Sequence, residues 1–279
     1  MKKLNPALDV TRYGLLAVLF LFLLFPVYWM VITALKTNME AYLYPPTFFP
    51  QLLSIDSFKS LFNENRQFFV YYGNNFVVSA WSAALTALLA IPAGYGLSRF
   101  KFKWNIWIIA LFLSWQMFPV VSRMISLYGL LGKIHLINTM PGLILALVAG
   151  QIPFCVILMA GFFDAVPKAI EDAALVDGAG RFKTLYRIVV PLVVPGILAV
   201  AIYSFLMTWD DYLHAATLIQ NDALRTLSVG IALRYLGELS YDWSLVNAIS
   251  VVGALPLIVL FIFFQKYMVR GLVAGAVKG

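Results

Sequence analysis

Few side chains in this sequence could do chemistry, and the carboxylates come first. Asp210 and Asp211 follow Trp209 toward the end of a long apolar run. A carboxylate inside such a run is a functional candidate, because an unpaired charge in hydrocarbon is unfavourable. Neighbouring helical residues point about 100° apart, so the two cannot face each other as acid and base. The plainer reading puts them at the wet outer end of a pathway, or opposite an outer-loop base. A pathway or gating role comes second. Glu171 and Asp172 form another pair, at the start of a polar segment. Trp115, Gln116, Gln151, Ser204, Asn247 and Ser250 also interrupt apolar runs. Rings with amides suit sugar recognition, but such residues more often hold helices together. His135 and His214 are far apart, and no metal-ligand spacing is present. Gly129-Leu-Leu-Gly132-Lys133-Ile134 fails the phosphate-loop pattern, and no nucleophile–base arrangement of an intramembrane protease is found.

These residues sit in an unusual chain. It has 279 residues, 62% apolar and only 12% charged, with a mean hydropathy of +0.87. Soluble domains are nearer 45–50% apolar and about 25% charged. The composition excludes an ordinary soluble enzyme, a disordered chain and a disulfide scaffold. The single cysteine, Cys155, lies inside an apolar run. A spanning helix needs about 20 mostly apolar residues, and six stretches qualify: Tyr13–Leu35, Asn75–Leu97, Trp104–Val120, Pro141–Phe163, Gly196–Leu218 and Ser244–Met268. They are too long and too little alternating for barrel strands. The first is longer than a signal-peptide core and contains Pro26, so it reads as an uncleaved span. Pro92, Pro153 and Pro256 interrupt three others. With the N-terminus inside, thirteen of the 20 Lys and Arg fall on the inner side, among them Lys2, Lys3, Arg99, Lys101, Arg187 and Lys278. The net charge of +7 therefore reads as orientation, with both termini cytoplasmic, and not as a nucleic-acid footprint. The first outer loop carries Pro45-Pro46-Thr47-Phe48-Phe49-Pro50, expected to be extended, and then a short amphipathic helix over Ile55 to Phe62.

The longest inner segment, 164–195, holds the most specific pattern. Pro167 suits a helix start, and Glu171 and Asp172 suit its dipole. Ile170, Ala173 and Ala174 form a small apolar face. Asp177-Gly178 is a turn signal. A second short helix follows, with Phe182, Leu185, Tyr186 and Val189 on one face. The plainer alternative is an amphipathic hairpin lying on lipid headgroups, but the acidic start and tight turn suit a protein partner better.

This segment resembles the coupling loop of ABC importer permeases, Glu-Ala-Ala-x-x-Asp-Gly-Ala, eight residues, then Ile-x-Leu-Pro. Here it stands as Asp172-Ala173-Ala174, two residues, Asp177-Gly178-Ala179, eight residues, and Ile188-Val189-Val190-Pro191. Asp172, preceded by Glu171, replaces the family Glu, and Val190 replaces the Leu. Thr33-Ala-Leu-Lys36-Thr37, Trp209-Asp210-Asp211-Tyr212 and the ending Gly271–Gly279 are similar to the carbohydrate branch, maltose-type importers above all. The resemblance implies an all-α membrane protein with six transmembrane helices, the type I importer permease fold. Residues 1–74 would hold the first span and outer loop, 75–268 the core, and 269–279 a cytoplasmic tail. It implies an inner-membrane transport subunit that binds no cofactor, with ATP and magnesium held by a separate cytoplasmic ATPase dimer. The other implied partners are a second permease subunit, an outer solute-binding protein and membrane lipid. The alternative is a self-sufficient secondary transporter or channel using Asp210 and Asp211. Gln151, Asn247, Trp115, Gln116 and Trp209 stand with those two acids as pathway candidates.

Overall fold

A computed structural model of the chain describes residues 6–100, 103–236 and 241–276, and the side chains of 11–100, 103–236 and 241–265. Lys2, Lys3, Lys101 and Lys278 lie outside the described residues. The helices, in order, are α1 (Pro6–Ala34), α2 (Asn38–Ala41), α3 (Asp56–Asn63), α4 (Arg66–Arg99), α5 (Asn105–Met117), α6 (Val120–Lys133) and α7 (Met140–Asp164). Then come α8 (Lys168–Val176), α9 (Arg181–Thr184), α10 (Val190–Leu192), α11 (Val194–Trp209), α12 (Leu213–Leu218), α13 (Leu227–Gly230) and α14 (Trp243–Ala276). A π-helical turn, Leu185–Val189, joins α9 to α10. The described residues contain no strand.

Among the described residues, four helices are long and apolar enough to cross a membrane, and up to six spans result if each of two bent pairs counts as one. The prolines at 26, 92, 153 and 256 lie inside continuous helices. The breaks fall elsewhere. Between α5 and α6 the chain turns by 101°. Phe118 there is extended, with ψ 131°, as the residue before a proline prefers. The run Arg181–Leu192 meets α11 at 77°. The expected fifth span, Gly196–Leu218, is corrected in the same way: α11 stops at Trp209, and Asp210 and Asp211 follow its end. The expected tail 269–279 begins as the last turns of α14, whose backbone stays helical through Ala276.

The chain clusters into two compact units, Met1–Phe69 with Ile231–Leu255, and Val70–Gly230 with Pro256–Gly279. In the first, the Pro-rich loop is bent where an extended course was expected. Lys36 is 2% exposed; its Nζ donates to the Thr47 carbonyl at 2.5 Å and lies 5.0 Å from the centre of the Trp29 ring. Glu40 is buried too, accepting from Thr47 Oγ1 at 2.7 Å and from the Gln51 N–H at 2.8 Å. Burial pushes the Glu40 carboxyl up, but the Gln51 N–H, the Thr47 hydroxyl, the Leu52 N–H and the Lys36 charge outweigh it. The net result lies below its ordinary value of 4.5. The helix after this loop, α3, matches the expected amphipathic segment, with Leu61 buried.

The second unit is built on α7, the most buried of the long helices. Its N-terminal half packs Leu143, Leu147 and Val148 with Met124, Leu131, Leu218 and Val229. Its C-terminal half packs Cys155, Met159 and Phe163 with Ala90, Leu185, Val189 and Val200. Between the two cores runs a polar seam. Gln151 donates to Thr208 Oγ1 at 3.0 Å and accepts from Ser204, whose hydroxyl also bonds Thr86 at 3.1 Å. Hydrogen bonds thus join α4, α7 and α11 inside an otherwise apolar bundle, where association cannot come from hydrophobicity alone.

Candidate functional site: the polar hairpin and its anchor

The hairpin that follows α7 is built from short, locally dictated pieces. Pro167 stands just before α8, with Glu171 in the first turn. Asp177 closes the helix, its N–H bonded to the Ala173 carbonyl at 3.0 Å, and the Ala179 N–H reaches the Ala174 carbonyl at 2.9 Å. Gly178 has φ +81°, a left-handed conformation that L side chains avoid. The spacing therefore located both the turn and the residue that makes it. The face assigned to the second helix is corrected. The π-helical turn widens the chain there, so Leu185 and Val189 go to the core while Phe182 and Tyr186 stay exposed, with ring centroids 4.5 Å apart.

The two acids at the hairpin's start are not equivalent. Asp172 is exposed, and Glu171 is buried. Glu171 Oε1 lies 2.5 Å from Arg99 Nε, with side chains 9% and 7% exposed. Its other oxygen accepts from Tyr95 Oη at 2.8 Å. Arg99 also donates through Nη2 to the Val166 carbonyl at 2.9 Å. Beside it, Ser98 Oγ donates to Asp164 at 2.6 Å. The last turn of α4 therefore grips the end of α7, the elbow after it and α8. Arg99 stands at a helix C-terminus, where a cation is favoured. The sequence counted Arg99 only among the orientation-setting bases. The one further signal was the i, i+4 spacing of Tyr95 and Arg99, which place themselves on one face. Among the other loop residues, Ala174 is buried, Ala179 and Ile188 are half-buried, and Ala173, Asp177, Gly178 and Pro191 are exposed. Ile170, Leu175 and Val176 are exposed apolar side chains on this polar segment, and Val176 is 87% exposed.

The pathway candidates have separate surroundings. Gln151 belongs to the seam. Trp209 is buried, packed edge-on to Tyr72 and stacked on Phe205, with its carbonyl accepting from Asn75 at 3.2 Å. Asn247 donates to the carbonyl of Trp243 at 2.8 Å. Gln151 and Trp209 are placed as helix glue, whereas the Asn247 bond stays within α14. Trp115 and Gln116 are exposed on α5, and the Arg123 guanidinium lies 5.4 Å from the Trp115 ring centre. The placing of the two aspartates inside a span is corrected. Asp210 is exposed past the end of α11. Asp211 bonds locally, to the Ala215 N–H at 3.1 Å and to His214 Nδ1 at 2.7 Å. Of the two outer-end readings, solvated or paired with an outer-loop base, Asp210 is exposed and Asp211 is paired with a nearby histidine. No three His, Cys, Asp or Glu side chains among the described residues could hold a metal.

Long apolar helices joined by a polar seam, with a polar hairpin gripped by one of them, define an all-α membrane-spanning protein. The chain belongs to the family described as binding-protein-dependent transport system inner membrane component, which matches residues 68–273. It is 36% identical to the sulfoquinovosyl glycerol transport system permease protein SmoH of Agrobacterium fabrum, over 92% of this chain and 89% of that one. It is 30% identical to the trehalose/maltose transport system permease protein MalG of Thermococcus litoralis, over 92% of each. Its fold superposes with a TM-score of 0.79 on a chain of a bacterial ABC transporter involved in importing the acidic polysaccharide alginate, at 19% identity, covering 96% and 98% of the two chains. The chain is thus a permease subunit and not an enzyme. Nothing in the fold or the relatives favours the secondary-transporter alternative.

Proposed function

We propose that this permease serves an ATP-driven importer of a sugar or oligosaccharide. Its relatives' names speak for a saccharide substrate: sulfoquinovosyl glycerol for one, trehalose and maltose for another. The observation that carries the mechanism is the hairpin 168–192, two short helices of which the first is held by a buried ion pair, presenting Ile170, Val176 and Phe182 outward. Exposed apolar side chains beside the charged groups of this hairpin suit a protein cleft. In this reading the hairpin docks on a cytoplasmic ATPase dimer that holds ATP and magnesium. Asp172, Ala173, Asp177, Gly178, Ala179, Ile188 and Pro191 form or frame the docking element, and Glu171 supports it from behind. Both termini lie in the cytoplasm, by the inner excess of Lys and Arg.

A second permease subunit completes the pathway. The described apolar part of α1 has 0% of its most apolar stretch buried within this chain, and α5 has no buried residue. Those faces are left to lipid and to the companion subunit. A solute-binding protein, which the family's description implies, delivers substrate at the outer side.

Purification of the tagged chain from native membranes tests this. A phosphate-loop ATPase and a different permease should accompany it, and saccharide uptake should stop when ATP is depleted. A chain that emerges alone, with uptake following an ion gradient, overturns the reading.

A further inference from the structure

We infer that Arg99 and Glu171, seconded by Tyr95, form a strut that transmits movement of the docking helix α8 into the spanning helix α4. Glu171 is thereby a positioning residue and not a contact with the ATPase. The inference rests on the importer reading and adds the route by which the hairpin's motion enters the bundle.

Geometry carries it. α8 has nine residues and is joined to α7 through a short elbow, 165–167. A helix so short, pushed from outside, would swing on that elbow and leave the bundle unmoved. Three bonds prevent the swing. Arg99 holds Glu171 on α8 and the Val166 carbonyl in the elbow at once, and Ser98 holds Asp164 at the end of α7. Tyr95, one turn back on α4, fixes the second carboxylate oxygen. Both oxygens of Glu171 are thus occupied by donors from α4. With only 9% of its side chain exposed, Glu171 offers little surface to another chain. Asp172, one residue on, is exposed. The adjacent acids therefore divide the work, one turned to the bundle and one outward. A buried carboxylate held by one short bond from each of two α4 side chains is directional, so it carries force where an exposed ion pair would be screened.

The test uses the complete transporter purified from native membranes and returned to vesicles, comparing Glu171→Gln, Arg99→Gln, Tyr95→Phe and the exchange Arg99→Glu with Glu171→Arg. The ATPase should stay bound in all four. In the two Gln variants uptake per ATP hydrolysed should fall about tenfold, while hydrolysis continues and stops responding to loaded binding protein. Tyr95→Phe should lose less, and the exchange should recover part of the loss. A merely structural role would lower hydrolysis, uptake and assembly together. Unchanged uptake per ATP in both Gln variants overturns the strut. So does loss of the ATPase from Glu171→Gln alone, which would make Glu171 a docking contact, or an exchange no better than its single changes. Loss of the ATPase from every variant overturns it as well, by making the cluster an assembly determinant. Failure of the importer reading would show differently, as unaltered protein with no ATP-dependent uptake.

Discussion

The chain carries two pairs of neighbouring carboxylates, Glu171–Asp172 in the hairpin and Asp210–Asp211 after α11. In each, one acid is turned in and bonded while its neighbour is exposed. What differs is reach. Glu171 is held by Arg99 and Tyr95, 72 and 76 positions away in sequence. Asp211 is held by His214 and the Ala215 N–H, three and four positions on. A bond to a neighbour in sequence can only finish a turn, and here it supports the first turn of α12. A bond across the sequence ties two elements into one body. Two acids side by side thus say little about their role until the distance to their partners is known.

The comparison breaks most visibly at its long-range member. Glu171→Ala leaves the Arg99 guanidinium buried without its carboxylate, and such a loss is worth about 3–5 kcal/mol. A large fall in the thermal midpoint in detergent should follow, and a midpoint within a degree or so of the parent would remove the contrast. Glu40 offers a third buried acid, bonded over intermediate distances in sequence. Glu40→Gln should lose about 1.5–3 kcal/mol, the range for bonds to a charged group. Because its folded pKa is depressed, its contribution is full above the unfolded value and is lost as pH falls through the folded one. The parent should therefore lose stability below about pH 4.5 more steeply than Glu40→Gln does, as unfolding midpoints across an acid series would record.

Gly178→Val keeps every acid and strains the turn between α8 and α9. A Cβ there meets nothing within 4 Å, so the loss of about 1–2 kcal/mol is purely conformational. Uptake should fall further than stability, because the turn shapes the docking element; equal uptake in parent and variant would count against docking. Asp211→Ala removes a local bond of capping type, worth about 1 kcal/mol. Its effect on the thermal midpoint should be well below that of Glu171→Ala. Asp210→Asn should be the quietest, within about 0.5 kcal/mol and with normal saccharide uptake. A tenfold loss of uptake there would restore the gating role that its exposure argues against.

Much of this was legible in advance because it is local. The long spans follow from apolar composition, the turn at Gly178 from Asp-Gly, and the start of α8 from Pro167. The places where reading failed are those decided by remote packing. The end of α11 at Trp209 is invisible in hydropathy, since the apolar run continues into α12. The break at Phe118-Pro119 was hidden because prolines at 26, 92, 153 and 256 look the same and leave their helices intact. Within the hairpin, the pattern marked both acids alike and could not show that Arg99 claims only one of them. The bent course of the Pro-rich loop depends on Lys36 and Glu40 reaching across it, which no local preference encodes.

The break after α5 has a consequence for the solvent around the protein. The 13 residues of α5 rise about 20 Å, while the hydrocarbon layer is about 30 Å thick. Past Met117 the chain turns through 101° and no longer makes up the difference. Where α5 faces lipid, the bilayer would thin locally, as bilayers do around short helices. Any rearrangement that tilts or lengthens this flank works with or against an elastic deformation. Acyl-chain length then acts on the protein as a mechanical effector, with no binding site at all.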